Sequence, residues 1–128
     1  MRIVRKRIIF DTGYIKIRIT SNNVFATLTD GKGNVLISKH SGILRFRSSK
    51  KKTPYAGGQV VKSLIRQIYR SNFRIRNYIV QVFGFIKNST VNSAIRSIGF
   101  SKIRNIIFLE NKISHSHNGL RAKKKRRL

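Results

Sequence analysis

The alternation of apolar and polar side chains first becomes regular at Tyr14-Ile15-Lys16-Ile17-Arg18-Ile19-Thr20. Ile15, Ile17 and Ile19 fall on one side of an extended chain and Lys16 and Arg18 on the other, the pattern of a half-buried strand with a basic outer face. Ser21-Asn22-Asn23 supplies turn chemistry, because Asn tolerates left-handed backbone angles. A second alternating run, Val24-Phe25-Ala26-Thr27-Leu28-Thr29-Asp30, follows, and Gly31-Lys32-Gly33-Asn34 turns the chain into a third, Val35-Leu36-Ile37-Ser38. Three strands with links this short form an antiparallel meander.

From His40 to Lys52 the apolar pattern stops. Arg45, Arg47, Lys50, Lys51 and Lys52, interrupted by Phe46 and two serines, make a long basic loop. With a screening length of ~8 Å at physiological salt, these charges repel one another, so the loop is expected to move in the free protein. Thr53-Pro54 starts a helix, with a capping hydroxyl followed by proline at the first helical position. Its apolar face is Val60, Val61, Leu64, Ile65, Ile68 and Tyr69, and Lys62, Arg66 and Arg70 line the other face. Gly57 and Gly58 each cost the helix roughly 1 kcal/mol relative to Ala, which points to close approach of another group there.

The nearly continuous apolar run Tyr78-Ile79-Val80-Gln81-Val82-Phe83 predicts a central strand covered on both faces. Asn88 or Ser89 caps a second helix with Val91, Ala94, Ile95 and Ile98 at i, i+3, i+4 and i+7, ended by Gly99. A last strand is expected from about Lys102 to Leu109. The order β-β-β-α-β-α-β implies an α/β fold: a mixed five-stranded sheet, with a three-stranded antiparallel meander, two parallel strands and packed helices. Residues 1–13 then form a basic N-terminal arm, 14–111 a single α/β domain and 112–128 a basic C-terminal tail.

Composition supplies the partner. Against 29 Lys and Arg the chain of 128 residues has three acids, Asp11, Asp30 and Glu110, for a net charge of +26. The last twelve residues hold six of the positive charges, so the rest of the chain still carries +20. A free compact monomer of this charge repels itself and its own copies. Nucleic acid is the expected partner, ahead of any anionic membrane surface, and no homo-oligomer is expected. The tail segment His117-Asn118-Gly119-Leu120-Arg121-Ala122-Lys123-Lys124-Lys125-Arg126-Arg127-Leu128 is too poor in apolar side chains to fold alone, and phosphates would order it by displacing counterions. Within it, Gly119 is suited to positive φ and close approach to RNA, and Asn118 to donating and accepting hydrogen bonds.

Forty per cent apolar residues suffice for one real core. Cysteine is absent, so there is no disulfide framework and no thiolate metal site. No apolar run approaches the ~20 residues of a membrane span, so a soluble protein is expected, and no cleaved targeting segment is evident at the N-terminus. Enzyme readings fail for lack of acids: a two-metal nuclease needs several convergent carboxylates. Asp30 before Gly31 reads as a turn residue. His40, His115 and His117 lack Cys, Asp or Glu at ligand spacing, which leaves them polar or RNA-stacking roles. No cofactor or metal is expected.

Read together, the loop, the helix start and the tail resemble a family, the universal small-subunit ribosomal protein numbered eleven in bacteria. The residues that carry the resemblance are Ser21-Asn22-Asn23, Thr27-Leu28-Thr29-Asp30, Gly33-Asn34, Ser41-Gly42 and Lys52-Thr53-Pro54-Tyr55-Ala56. They continue with Ile95-Arg96, Gly99-Phe100, His117-Asn118-Gly119, Arg121 and Lys124-Lys125-Arg126-Arg127. The resemblance spans residues 13–128 and implies a ribonuclease-H-like topology without catalysis. It implies a structural role on the small-subunit platform, binding small-subunit rRNA near its 3′ end beside neighbouring platform proteins and the mRNA exit channel. The RNA-binding residues it implies are Asn22, Asn23, Arg45, Arg47, Lys50, Lys51, Lys52, Thr53, His117, Asn118, Gly119, Arg121, Lys123, Lys124, Lys125, Arg126 and Arg127. The chain departs from the family at Phe83-Gly84-Phe85-Ile86-Lys87-Asn88, where a Gly-Pro-rich loop is usual, and at Ser114 and Ser116, where prolines are usual. Abundant Ile, Lys and Asn suggest an AT-rich genome and a mitochondrial ribosome, with a plastid or a bacterial cytoplasm as alternatives. A free architectural nucleic-acid-binding protein and an RNA-processing enzyme are the rival functions.

Overall fold

The computed structural model describes residues 7–84 and 88–128; the start of the basic arm and Phe85-Ile86-Lys87 of the departing loop lie outside them. Five strands form one mixed sheet in the order β3-β2-β1-β4-β5. They are β1 (Ile8–Ile19), β2 (Val24–Asp30), β3 (Val35–His40), β4 (Phe73–Phe83) and β5 (Ile106–Lys112), with α1 (Pro54–Arg70) between β3 and β4 and α2 (Ser89–Gly99) between β4 and β5. β1 pairs antiparallel with β2 and β2 with β3, whereas β1 with β4 and β4 with β5 run parallel. This is the mixed α/β sheet that the order of elements implied.

The core follows from the alternation. Ile15 and Ile17 of β1, Val24, Ala26 and Leu28 of β2 and Val80 and Val82 of β4 lie on the helix side of the sheet, all at 0–2% exposure, under Val60, Val61 and Leu64 of α1. Each such Val, Leu or Ile side chain contributes ~1.5–3 kcal/mol relative to remaining exposed, and the Ala26 methyl less. Gly57 and Gly58 are where α1 meets α2. A Cβ on Gly57 would stand 2.8 Å from Thr90 Cγ2, and one on Gly58 3.0 Å from Ser93 Oγ and Ser97 Oγ. The two glycines thus exchange helix propensity for a close, parallel helix pair.

Two boundaries differ from the sequence reading. The first strand begins at Ile8, so residues 8–13 belong to the sheet and not to an arm. Ile8, Ile9 and Phe10 pair with Phe73, Arg74 and Ile75, and the Phe10 and Phe73 rings meet edge to face at 6.1 Å. The tertiary partner holds this segment extended although Ile8-Ile9-Phe10-Asp11 does not alternate. The last strand is shifted to Ile106–Lys112, and α2 packs chiefly on α1 and leaves it uncovered. All seven residues of β5 are exposed, including Ile107 at 50% and Phe108 at 60%. Gly99 closes α2 without a left-handed φ, and Phe100 in helical geometry is its C-cap.

Candidate nucleic-acid interface

Parallel strands and the helices that follow them bring their ends to one edge of a sheet, and in open α/β sheets the carboxyl ends of the strands are where ligands sit. Here that edge gathers four of the basic or polar segments. The register pairs Ile19 with Val24, so the Thr20–Asn23 turn caps the edge, and Phe83 with Lys112, so the tail departs from it. The amino ends of α1 and α2 open onto the same edge, and neither has an acidic residue in its first turn. Their partial positive charge favours an anion there.

The turn and the basic loop are joined through Ser41. Its side chain is fully buried, donates to the Lys51 carbonyl at 2.8 Å and accepts from the Val24 N–H at 3.3 Å. A second tie comes from α2, where the buried Thr90 hydroxyl donates to the Lys52 carbonyl at 2.9 Å. Thr53 then caps α1 by accepting from the Ala56 N–H at 3.3 Å, while its hydroxyl donates to the Lys50 carbonyl at 2.9 Å. Ser48–Lys52 is a short 3-10 turn, and Phe46 meets Tyr55 edge to face at 6.0 Å. The expected open loop is therefore a tethered basic ridge. Arg45 and Ser48 take positive φ of 63° and 47°, which fold the ridge back on itself.

The expected contact residues divide into three groups. Arg45, Arg47, Lys50 and Lys52 are exposed on the ridge, with Lys51 and Thr53 half-buried at its root. Asn22 is exposed in the adjoining turn, whereas Asn23 is half-buried and accepts from the Val24 N–H at 2.9 Å through its own Oδ1. Neither Asn has a left-handed backbone, so the turn is held by that bond and by Thr20 Oγ1, which accepts from the Asn23 N–H at 3.0 Å. His117, Asn118, Gly119, Arg121, Lys123, Lys124, Lys125, Arg126 and Arg127 are all exposed and outside any regular element. Within the tail it is Asn118, at φ 49°, that takes the left-handed conformation expected of Gly119.

Electrostatics favour this edge over the opposite one. Asp30 lies opposite Gly13, six residues back along β2 from the edge and so roughly 20 Å away at ~3.4 Å per residue. It accepts from the Asn34 side chain at 3.0 Å and from the Lys32 and Asn34 N–H groups at 2.9 and 2.8 Å. The Asn34 side-chain bond, followed by the backbone bonds, holds its carboxyl below the usual range. Asp30 is thus the turn residue the sequence suggested, and Gly33 at φ 93° completes that turn. Asp11, in β1, pairs with Arg76 at 3.3 Å near the same far end, with both side chains exposed, a geometry that contributes little to stability. Among the described residues no group of three or more His, Asp or Glu side chains is placed to hold a metal ion.

The sequence reading did not find Ser41 and Thr90 as the ties that position the ridge. Ser41-Gly42 entered it only as a point of resemblance, and Thr90 only as one residue of a helix. The signal available was a small hydroxyl residue immediately outside an apolar strand, which is weak without coordinates.

Comparison with known proteins gives a family match: the model described as ribosomal protein S11 matches residues 13–127. The chain is 35% identical over 120 residues to the small ribosomal subunit protein uS11 of Wolbachia pipientis subsp. Culex pipiens, covering 93% of this chain and 90% of that protein. It is 35% identical over 116 residues to the protein of the same name from Coxiella burnetii (strain RSA 331 / Henzerling II), covering 91% of each. With that of Helicobacter acinonychis it shares 34% identity over 127 residues, 99% of this chain and 92% of the relative.

Proposed function

The chain belongs to the ribosomal protein S11 family, and from that premise we propose that it is a non-catalytic, structural constituent of the small ribosomal subunit that binds small-subunit rRNA. The observation that carries the reading is the basic edge, with Asp11 and Asp30 at the far end of the sheet and Glu110, two residues before Lys112, the acid nearest to it. Basic ridge, asparagine turn, two helix amino ends and the root of the tail converge there, as a surface for a folded RNA junction requires. The tail supplies phosphate neutralisation, and the tethered ridge supplies register.

The finer reading is ours as well. The protein sits on the platform, near the 3′ end of the small-subunit RNA and beside the path of departing mRNA, with neighbouring platform proteins at its flanks. An Ile-, Lys- and Asn-rich composition supports a mitochondrial ribosome of bacterial type, ahead of a plastid or a bacterial cytoplasm. Sucrose-gradient fractionation of a lysate of the source cells and of their purified organelles tests this reading. Cosedimentation with the small subunit at one copy per particle, in the organelle fraction, is the expected result. A free or DNA-bound pool would sink the structural role in favour of an architectural nucleic-acid protein, and confinement to cytoplasmic particles would sink the organellar one. Crosslinks from the ridge that map away from the 3′ region of the RNA would refute the platform placement.

A further inference from the structure

The face of the sheet turned away from the helices takes no part in the interface above, yet its side chains are not those of a merely solvated surface. Strand register sets them in cross-strand rows. His40, Phe25, Arg18, Phe83 and Lys112 form one, and Ser38, Thr27, Lys16, Gln81 and Glu110 the next. Tyr14, Ile79 and Phe108 share a third. A groove crosses these rows, walled by Lys16, Arg18, Phe25, Phe83 and Lys112, and among the described residues no carboxylate lines it. Phe25 and Phe83 are half-buried, so each ring shows part of itself to the groove.

The cations are already at the rings. Lys112 Nζ stands 5.9 Å from the Phe83 centroid and Lys16 Nζ 6.0 Å from that of Tyr14. Glu110, the acid on this face, is engaged by Gln81 Nε2 at 2.9 Å and lies 4.0 Å from Lys112, which offsets its charge. Thr29 Oγ1, a buried side-chain oxygen without a hydrogen-bond partner among the described residues, belongs to another residue of the groove wall. Phe25 and Phe83 flank Arg18 at two strand spacings, roughly 10 Å, room for two splayed bases with the cation between them.

We propose that this open face is a second RNA-binding site, taking a single-stranded stretch whose bases stack on Phe25 and Phe83 and whose phosphates meet Arg18, Lys16 and Lys112. The proposal rests on the RNA-binding reading above and adds a second surface to it. Flat half-exposed rings interleaved with cations favour unpaired bases over a duplex, because a duplex hides its base faces, and every base has a face to stack whatever the sequence. An acidic protein segment would use the cations and leave the rings idle.

Binding to full-length protein, with ridge and tail intact, separates the two surfaces. The probes are an oligouridine strand of about ten nucleotides, a blunt RNA duplex of the same length and polyglutamate. Phe25→Leu/Phe83→Leu keeps apolar volume on the sheet and removes the stacking faces; Arg18→Gln alters a residue that is exposed and outside the core. Arg18→Gln should bind oligouridine about tenfold more weakly, the double variant, which loses two stacking faces, about thirtyfold or more, and each the duplex nearly as wild type. Equal affinity of wild type and Arg18→Gln for oligouridine would overturn the proposal while leaving the first interface standing. So would a parallel loss on both RNAs, or a loss seen only against polyglutamate. Failure of the wild type to bind either RNA would overturn the underlying reading too. Thermal melts of each variant distinguish a folding defect, and Arg18→Gln decides the matter should the double variant melt early.

Discussion

Gly57→Ala sets two effects of known sign against each other. In a helix interior the substitution gains about 1 kcal/mol of propensity. The new methyl, however, would stand 2.8 Å from Thr90 Cγ2 and 3.2 Å from the Thr90 carbonyl oxygen, inside the range of ordinary contact. Thr90 is poorly placed to give way, because its hydroxyl donates to the Lys52 carbonyl and the residue is 3% exposed. Overpacking of this kind costs typically ~1–3 kcal/mol, so the net effect runs from near zero to a loss of about 2 kcal/mol, with the ridge tether strained or broken. Urea denaturation measures the loss, and Thr90→Ser supplies the cycle: it keeps the hydroxyl and deletes the methyl that clashes. In the double variant most of the cost of Gly57→Ala should disappear, giving a coupling of about 1 kcal/mol between the sites. Gly99→Ala is the control, since none of the described residues lies within 4 Å of the Cβ it would add, and it should stabilise by up to ~1 kcal/mol. Stabilisation by Gly57→Ala, or strict additivity with Thr90→Ser, would refute the close helix contact as the reason for glycine.

Deleting residues 117–128, all exposed, should leave the thermal transition of the body nearly unchanged. It should flatten the slope of log K against log salt for RNA binding by up to about 4–5 units, given six lost cations and about 0.7–0.9 counterions per contact. A salt titration against small-subunit RNA reads the slope, and an unchanged one would remove the tail from the interface. Asp30, whose folded carboxyl titrates below its unfolded range, contributes stability that is present above that range and lost as pH falls through the folded value. Asp30→Asn should therefore lower stability at neutral pH and weaken the acid dependence below about pH 4. Melts across pH check this, and an acid limb as steep in the variant as in the wild type would assign the dependence elsewhere.

What was legible in the chain was whatever periodicity reports directly. Ile15, Ile17 and Ile19 announced a strand, and the Val60-to-Ile68 face and the Thr53-Pro54 start announced α1, because one face of each is apolar and local. The beginning of β1 was hidden. Ile8-Ile9-Phe10 is held extended by β4, more than sixty residues later, and a non-alternating run carries no trace of a distant partner. The ridge was recognised as basic but its anchors were not, since the bonds that tether it use one hydroxyl each from Ser41 and Thr90, at separations of 10 and 38 residues. In the tail the residue types were read and the backbone was not, because Asn and Gly compete for the same left-handed conformation and composition does not decide between them.

The two hydroxyl ties also explain how so basic a segment can have a shape at all. Five Lys and Arg within eight residues gain nothing from packing, and no carboxylate lies among them. Side-chain pairing therefore cannot order the ridge. Backbone bonds can, because a carbonyl accepts a hydrogen bond whatever charge its side chain bears. Ser41 and Thr90 bond the backbone of Lys51 and Lys52 from the buried side, and leave the ammonium groups facing outward. The free protein thus bears the repulsion between these cations in advance, at the cost of stability it would otherwise keep. On the proposed function, RNA would meet charges whose positions are already set, so less ordering entropy would oppose binding than for the tail, which shows no such ties among the described residues. Under that reading ridge and tail, similar in charge, would divide the work: the pinned one would select a junction, and the loose one would add affinity to whatever phosphate lies within reach.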